Sequence, residues 1–106
     1  MHKFGYVNNR RLSQGVEYLN KVKPPPPALG PGPGKCDRVS CSYWTGIIWC
    51  NDDTKRKELA GWKNVAAAAE YLRQRCEIAT SNTYEHAGGQ VFLEDNWNVV
   101  VLREEC

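Results

Sequence analysis

The apolar positions of this chain follow a two-residue period, then a helical one, then a two-residue period again. From Cys36 to Tyr43 the pattern alternates, with Val39, Cys41 and Tyr43 on one parity and Ser40 and Ser42 on the other, as a strand requires. Thr45-Gly46 offers a turn, after which Ile47-Ile48-Trp49-Cys50 reads as a β-rich strand folding back. With Thr45 and Gly46 at the centre of that turn, Cys41 falls opposite Cys50. From Trp62 to Cys76, Val65, Ala68 or Ala69, Leu72 and Cys76 recur every three to four residues. Ala66 to Ala69 has the highest helix propensity, and Arg73 with Glu77 adds an opposite-charge pair one turn apart. Alternation returns at Gln90-Val91-Phe92-Leu93 and at Asn98 to Leu102, around a turn from Glu94 to Trp97 centred on Asp95-Asn96.

This order predicts an α+β fold: a four-stranded antiparallel sheet, strand-strand-helix-strand-strand, with one packed helix. Val99-Val100-Val101-Leu102 is apolar on both faces. One face is expected to meet the helix, and the other needs a cover from the N-terminal arm or a second subunit.

Three regions follow: a basic arm over residues 1–23, a Pro/Gly-rich linker over 24–35, and a disulfide-stabilised domain over 36–106. Pro24 to Gly34 holds six prolines and three glycines, which exclude a helix or a central strand there. The arm carries Phe4, Tyr6, Val7, Leu12, Val16, Tyr18, Leu19 and Val22, too many large apolar residues for pure disorder. Ser13 could cap a short helix with Val16 and Glu17 in its first turn, although Gly15 weakens it. At ~3.1 Å per residue a polyproline path across the linker is long enough to hold the arm off the domain. A homodimer is therefore expected, with the arm and the exposed sheet as its contacts and folding back in cis as the alternative.

All five cysteines and all four tryptophans follow Lys35. So small a body gains little from its core beyond what chain entropy takes away, and crosslinks are expected to make up the difference. That cysteine density points to an oxidising compartment. The apolar stripe of the helix ends on Cys76, and a Cys50–Cys76 bridge closes a loop contributing about 3.5 kcal/mol in the chain-entropy model. Cys106 is then left to pair with Cys41 or Cys36, and one thiol is left over. No CxxC pair occurs and His2 and His86 are the only histidines, so no metal or other cofactor is expected. No apolar run approaches the length of a membrane span. Met1-His2-Lys3 leads straight into polar sequence, so a secreted protein is expected here in its mature form.

The net charge of +2 conceals an asymmetry, because residues 1–35 hold six basic side chains against Glu17 while the remainder holds eight basic against eleven acidic. Arm and body should attract one another. Lys55-Arg56-Lys57 reads as a solvated loop rather than a nucleic-acid patch.

Enzymatic readings find little support. A ribonuclease would have to use Glu85-His86 with Arg103 or Arg38, yet adjacent residues of an extended segment point apart. A cysteine nucleophile with His86 competes with the bridges, and no pair of carboxylates stands out for glycoside cleavage. Rigid aromatics supply contact area at little entropic cost. Trp49 and Trp62 are read as core; Trp44, Trp97 and Tyr43 are candidates for a binding surface, including one for carbohydrate.

The motifs C-x-R-V-S-C-S-Y at Cys36 to Tyr43, I-x-W-C-N-D at Ile47 to Asp52, and G-Q-V-F with D-N-W-N-V-x-V at Gly89 to Val101, before a final cysteine, carry a resemblance. Over 34–106 the chain resembles small secreted cysteine-rich proteins of filamentous fungi. The resemblance implies secretion, a disulfide-held α/β body, and a non-enzymatic role as an effector or elicitor of plant defence, with a plant-surface or apoplastic protein or glycan as partner. Such proteins share folds with antimicrobial killer-type toxins, so the toxin reading stands beside it. The long basic arm departs from the short leaders of the group.

Overall fold

A computed structural model of the chain describes residues 5–75 and 85–106. The chain is α+β, and its elements run β1 (Tyr6–Asn8), α1 (Asn9–Lys21), β2 (Ala28–Leu29), β3 (Lys35–Ser42), β4 (Thr45–Asn51), β5 (Lys57–Glu58), α2 (Trp62–Arg75), β6 (Glu85–Ala87), β7 (Gly89–Leu93) and β8 (Trp97–Arg103). The main sheet is antiparallel in the order β3-β4-β8-β7, and two short antiparallel pairs, β1-β6 and β2-β5, flank it.

Register decides which side chains meet. Trp49 lies opposite Val99, which lies opposite Val91; Ile47 lies opposite Val101, which lies opposite Gly89. These rows put Trp49, Ile47, Val99 and Val101 on one face, all buried, and both helices cover that face. From α2 come Val65, Ala66, Ala68, Ala69 and Leu72. Asn64 starts this helix by accepting the Gly61 amide at 2.9 Å through Oδ1, and Arg73 and Arg75 sit in the last turn where the helix dipole favours cations.

Two helices stand where one was expected. The second is the arm: α1 buries Leu12, Val16 and Leu19 against α2 and the sheet, so the arm folds back in cis and completes the core. The helix begins at Asn9, ahead of the Ser13 start expected from capping. Gly15, a liability by propensity, is what lets the helix approach, because a Cβ there would come within 3.0 Å of Ile47 Cδ1 and Ser40 Oγ.

The linker is no spacer. Its β2 segment pairs with β5, the Leu59 amide donates to the Pro27 carbonyl at 2.9 Å, and Pro27 is buried. Asn51, fully buried, donates through Nδ2 to the Gly30 and Lys55 carbonyls, each at 2.9 Å, and accepts the Asp53 amide at 2.9 Å. The Gly32 amide donates to Asp53 O at 2.7 Å and the Gly34 amide to Asp52 Oδ1 at 3.1 Å. The prolines of this stretch carry no N–H, so its glycine amides and carbonyls are tied down by side chains and backbone of the following loop. The path reverses the chain and returns the arm to its own body, where polyproline geometry alone would carry it away.

The thiol framework also differs from expectation. Cys50 bonds Cys36, with Cα atoms 4.0 Å apart, and not Cys76, which lies outside the described residues. Cys106 bonds Cys41, one of the two partners considered for it. The cause is the turn: its centre is Tyr43-Trp44, two residues earlier than Thr45-Gly46, and a register shift between Arg38 and Ser40 brings Cys36 opposite Cys50 and leaves Cys41 opposite Gly46. Both bridges lie on the sheet face turned away from the helices. The tail they tie down packs Glu104 against Gly46, where a Cβ would stand 3.0 Å from Glu104 Oε1.

Candidate functional site

Two-residue hairpin loops of this kind require positive φ at both central residues, which is why Asn-Gly and Asp-Gly dominate them. The β3-β4 loop meets the requirement with Tyr43 at φ 48° and Trp44 at φ 65°. The β7-β8 loop of the same sheet offers an internal comparison, for its two left-handed positions are Asp95 at φ 73° and Asn96 at φ 59°, residues suited to that backbone. A left-handed conformation costs a bulky residue roughly 1–2 kcal/mol. Both rings nonetheless stay largely in solvent, with Tyr43 67% exposed and Trp44 49%.

What holds the rings is two arginines distant in sequence. Arg11, in the first turns of α1, places its guanidinium carbon 3.7 Å from the Tyr43 ring centroid and donates through Nη1 to Gln14 Oε1 at 3.2 Å. Arg103, the last residue of β8, lies 5.3 Å from the Trp44 ring centroid. Stacks of this kind contribute about 0.5–1 kcal/mol each at exposed sites, less than the backbone strain they accompany. The Glu104 amide donates to Trp44 O at 3.3 Å, tying the loop to the tail that Cys106 anchors. On the outer side Arg38 meets Glu104 Oε1 at 3.0 Å and the Glu105 carbonyl at 3.1 Å.

Beside the tip, a groove of about 370 Å³ runs between α1 and β3, lined by Arg11, Gln14, Tyr18, Val39, Ser40 and Ser42. Ser40 and Ser42 pair with Ile47 and Thr45, which turns their side chains toward α1. Tyr18, 58% exposed, closes the far end. The floor therefore offers hydroxyls and an amide, and the rim offers aromatic rings and a guanidinium.

The remaining residues singled out from sequence fall elsewhere. Trp97 opens β8 and packs edge-on to Trp49 with centroids 6.3 Å apart, so it is half buried and lies apart from Tyr43 and Trp44. It lines a second, apolar groove of about 470 Å³ with Tyr71, Val91 and Leu93. Trp49 is core, and Trp62 packs against the core while its Nε1 donates to Pro25 O at 2.9 Å. His86 pairs through its backbone with Val7; its side chain and that of Glu85 lie outside the described residues.

Shifted carboxyls lie away from the tip. Glu70 is held below its ordinary value by hydrogen bonds from Arg73, at 2.6 Å, and Gln74, which outweigh its slight burial. At Asp53 partial desolvation raises the carboxyl, but the Lys55 and Thr54 amides and the Lys57 ammonium together bring it below. Both are structural pairings. Among the described residues no three His, Cys, Asp or Glu side chains converge as metal ligands would. No helix of the described residues is long and apolar enough to cross a membrane.

Sequence reasoning named Trp44, Trp97 and Tyr43 as binding candidates and Arg103 only as a ribonuclease candidate beside Glu85-His86; it missed Arg11 and the groove. One signal was available: a hairpin that joins Cys36 to Cys50 is centred on position 43, which puts the aromatics at its tip. Comparison with known proteins finds no matching family model, no similar curated protein and no similar solved structure.

Proposed function

We propose that this is a secreted, non-enzymatic small cysteine-rich protein of the filamentous-fungal type, an effector or elicitor of plant defence that works by binding through the Tyr43-Trp44 tip. One observation carries the reading: two large aromatics occupy left-handed, exposed loop positions that the same sheet fills elsewhere with Asp95 and Asn96. Strain retained in a loop whose rings stay largely exposed points to a role outside folding. Two disulfides fit a chain that matures in oxidising surroundings, and the sequence resemblance supplies the biological setting.

Purified oxidised protein infiltrated into leaves is expected to induce defence genes, and a Tyr43→Asn/Trp44→Gly variant with both bridges intact is expected to be silent. A silent wild-type protein overturns the proposal.

A homodimer belongs to the same proposal, now through the outer sheet face alone. Ile48, Val100 and Leu102 there are half buried and Phe92 is 69% exposed. Sedimentation of wild type against Phe92→Asp tests it: a wild-type monomer removes the dimer.

A further inference from the structure

The tip and the adjacent groove combine two chemistries that a neutral or purely apolar partner would not require. Stacked on an aromatic ring, a guanidinium uses its face and leaves its N–H donors in plane at the ring edge, the geometry that meets a carboxylate in two parallel hydrogen bonds. Arg11 lies 3.7 Å from the Tyr43 ring centroid while one of its five N–H groups donates to Gln14, and Arg103 lies 5.3 Å from the Trp44 ring centroid. Arg103 makes no ion pair among the described residues. Between Tyr18 and the tip the floor is Gln14, Ser40 and Ser42, groups that exchange hydrogen bonds with hydroxyls. Aromatic faces suit the C–H faces of a sugar ring, and a volume of about 370 Å³ lies within the range of small-ligand sites.

We propose that the tip and groove bind an oligosaccharide bearing uronic-acid carboxylates, its sugar rings lying on Tyr43, Trp44 and Tyr18 and its carboxylates meeting Arg11 and Arg103. This names the ligand of the site proposed above and rests on that reading. A single-stranded nucleic acid fits less well. It asks for a run of cations along a backbone charged at every residue, whereas here Arg38 is neutralised by Glu104 and the adjoining tail carries Glu105. A uronate chain presents its charge more sparsely, and two arginines at one tip can answer it.

The test titrates the full oxidised chain, by calorimetry and by the fluorescence of exposed Trp44, with a short oligogalacturonate, with its neutral methyl ester, and with single-stranded RNA of similar length. The acid is expected to bind and shift the fluorescence, with the ester and the RNA at least about tenfold weaker, the size of one lost charge-assisted pair. Arg11→Gln and Arg103→Gln should each weaken the acid about tenfold and leave the ester unchanged, while Arg103→Lys, which keeps charge but loses the fork, should fall between. Circular dichroism and thiol titration verify that each variant is folded and oxidised. Equal affinity for acid and ester, preference for RNA, or no binding to any of the three overturns the proposal. Should the glycan fail to bind while Tyr43→Asn/Trp44→Gly still abolishes the leaf response, the ligand class is wrong and the tip reading stands; should that variant keep the response as well, both fall.

Discussion

Replacing Tyr43-Trp44 by Asn-Gly should leave the stability of this protein nearly unchanged while removing its proposed function. The left-handed backbone at φ 48° and 65° costs two bulky residues roughly 1–2 kcal/mol each, which Asn relieves in part and Gly almost wholly. Against this stand two lost arginine stacks at about 0.5–1 kcal/mol each and a Gly entropy penalty of similar size. Asn-Gly is also the preferred filling of a two-residue hairpin loop with both φ positive. These terms nearly cancel, so the variant should melt within a few degrees of wild type, where truncating a packed aromatic costs about 3–5 kcal/mol. Urea and thermal melts with both disulfides intact read it directly. Asp95→Tyr/Asn96→Trp in the other hairpin is the control and should lower stability, because it adds the left-handed strain at φ 73° and 59° without the arginine contacts. If the Asn-Gly variant loses more than about 2 kcal/mol, the aromatics are contributing packing, and the inference from strain to function fails.

Removing the Cys41–Cys106 bridge by paired Ser substitution opens a longer loop than removing Cys36–Cys50, with separations of 65 against 14 residues, so the costs should be about 4 and about 3 kcal/mol by urea melts. Peptide mapping under oxidising conditions should recover these two pairs. Leu12→Ala or Leu19→Ala, in the arm yet 1% exposed, should each cost 2–5 kcal/mol, and deletion of residues 1–34 should unfold the domain where a merely dimerising arm would leave a folded monomer. Asn51→Ala leaves two carbonyls and an amide without their partner and should cost about 3 kcal/mol, with proteolysis appearing first in the linker. Glu70, lowered in the folded state from an ordinary value of about 4.5, contributes stability above that value that is lost as pH falls through the lowered folded-state value; Glu70→Gln should flatten this part of the acid limb in a pH series of melts.

Local pattern was enough for α2, for the four long strands and for the Asp95-Asn96 turn, because each rests on short-range physics: Ala-rich helical periodicity, two-residue alternation, and side chains that tolerate left-handed backbone. It also marked Trp44, Trp97 and Tyr43 as candidates for a binding surface, of which Trp97 packs edge-on to Trp49. It misplaced the first turn because Thr45-Gly46 offers the better turn residues, and this loop is held by distant contacts to Arg11, Arg103 and Glu104 that no window of sequence contains.

Composition and periodicity by themselves thus determined an α+β chain expected to carry crosslinks, with aromatic residues near its first hairpin. Tertiary structure decided how those parts meet. It returned the arm through a linker pinned by Asn51, chose Cys36 over Cys76 as the partner of Cys50 through one register shift, and set two arginines beside two exposed rings. Periodicity reports which face a residue prefers, but long-range pairing depends on register and on hydrogen bonds between segments far apart in the chain, and these exist only once the chain has closed on itself.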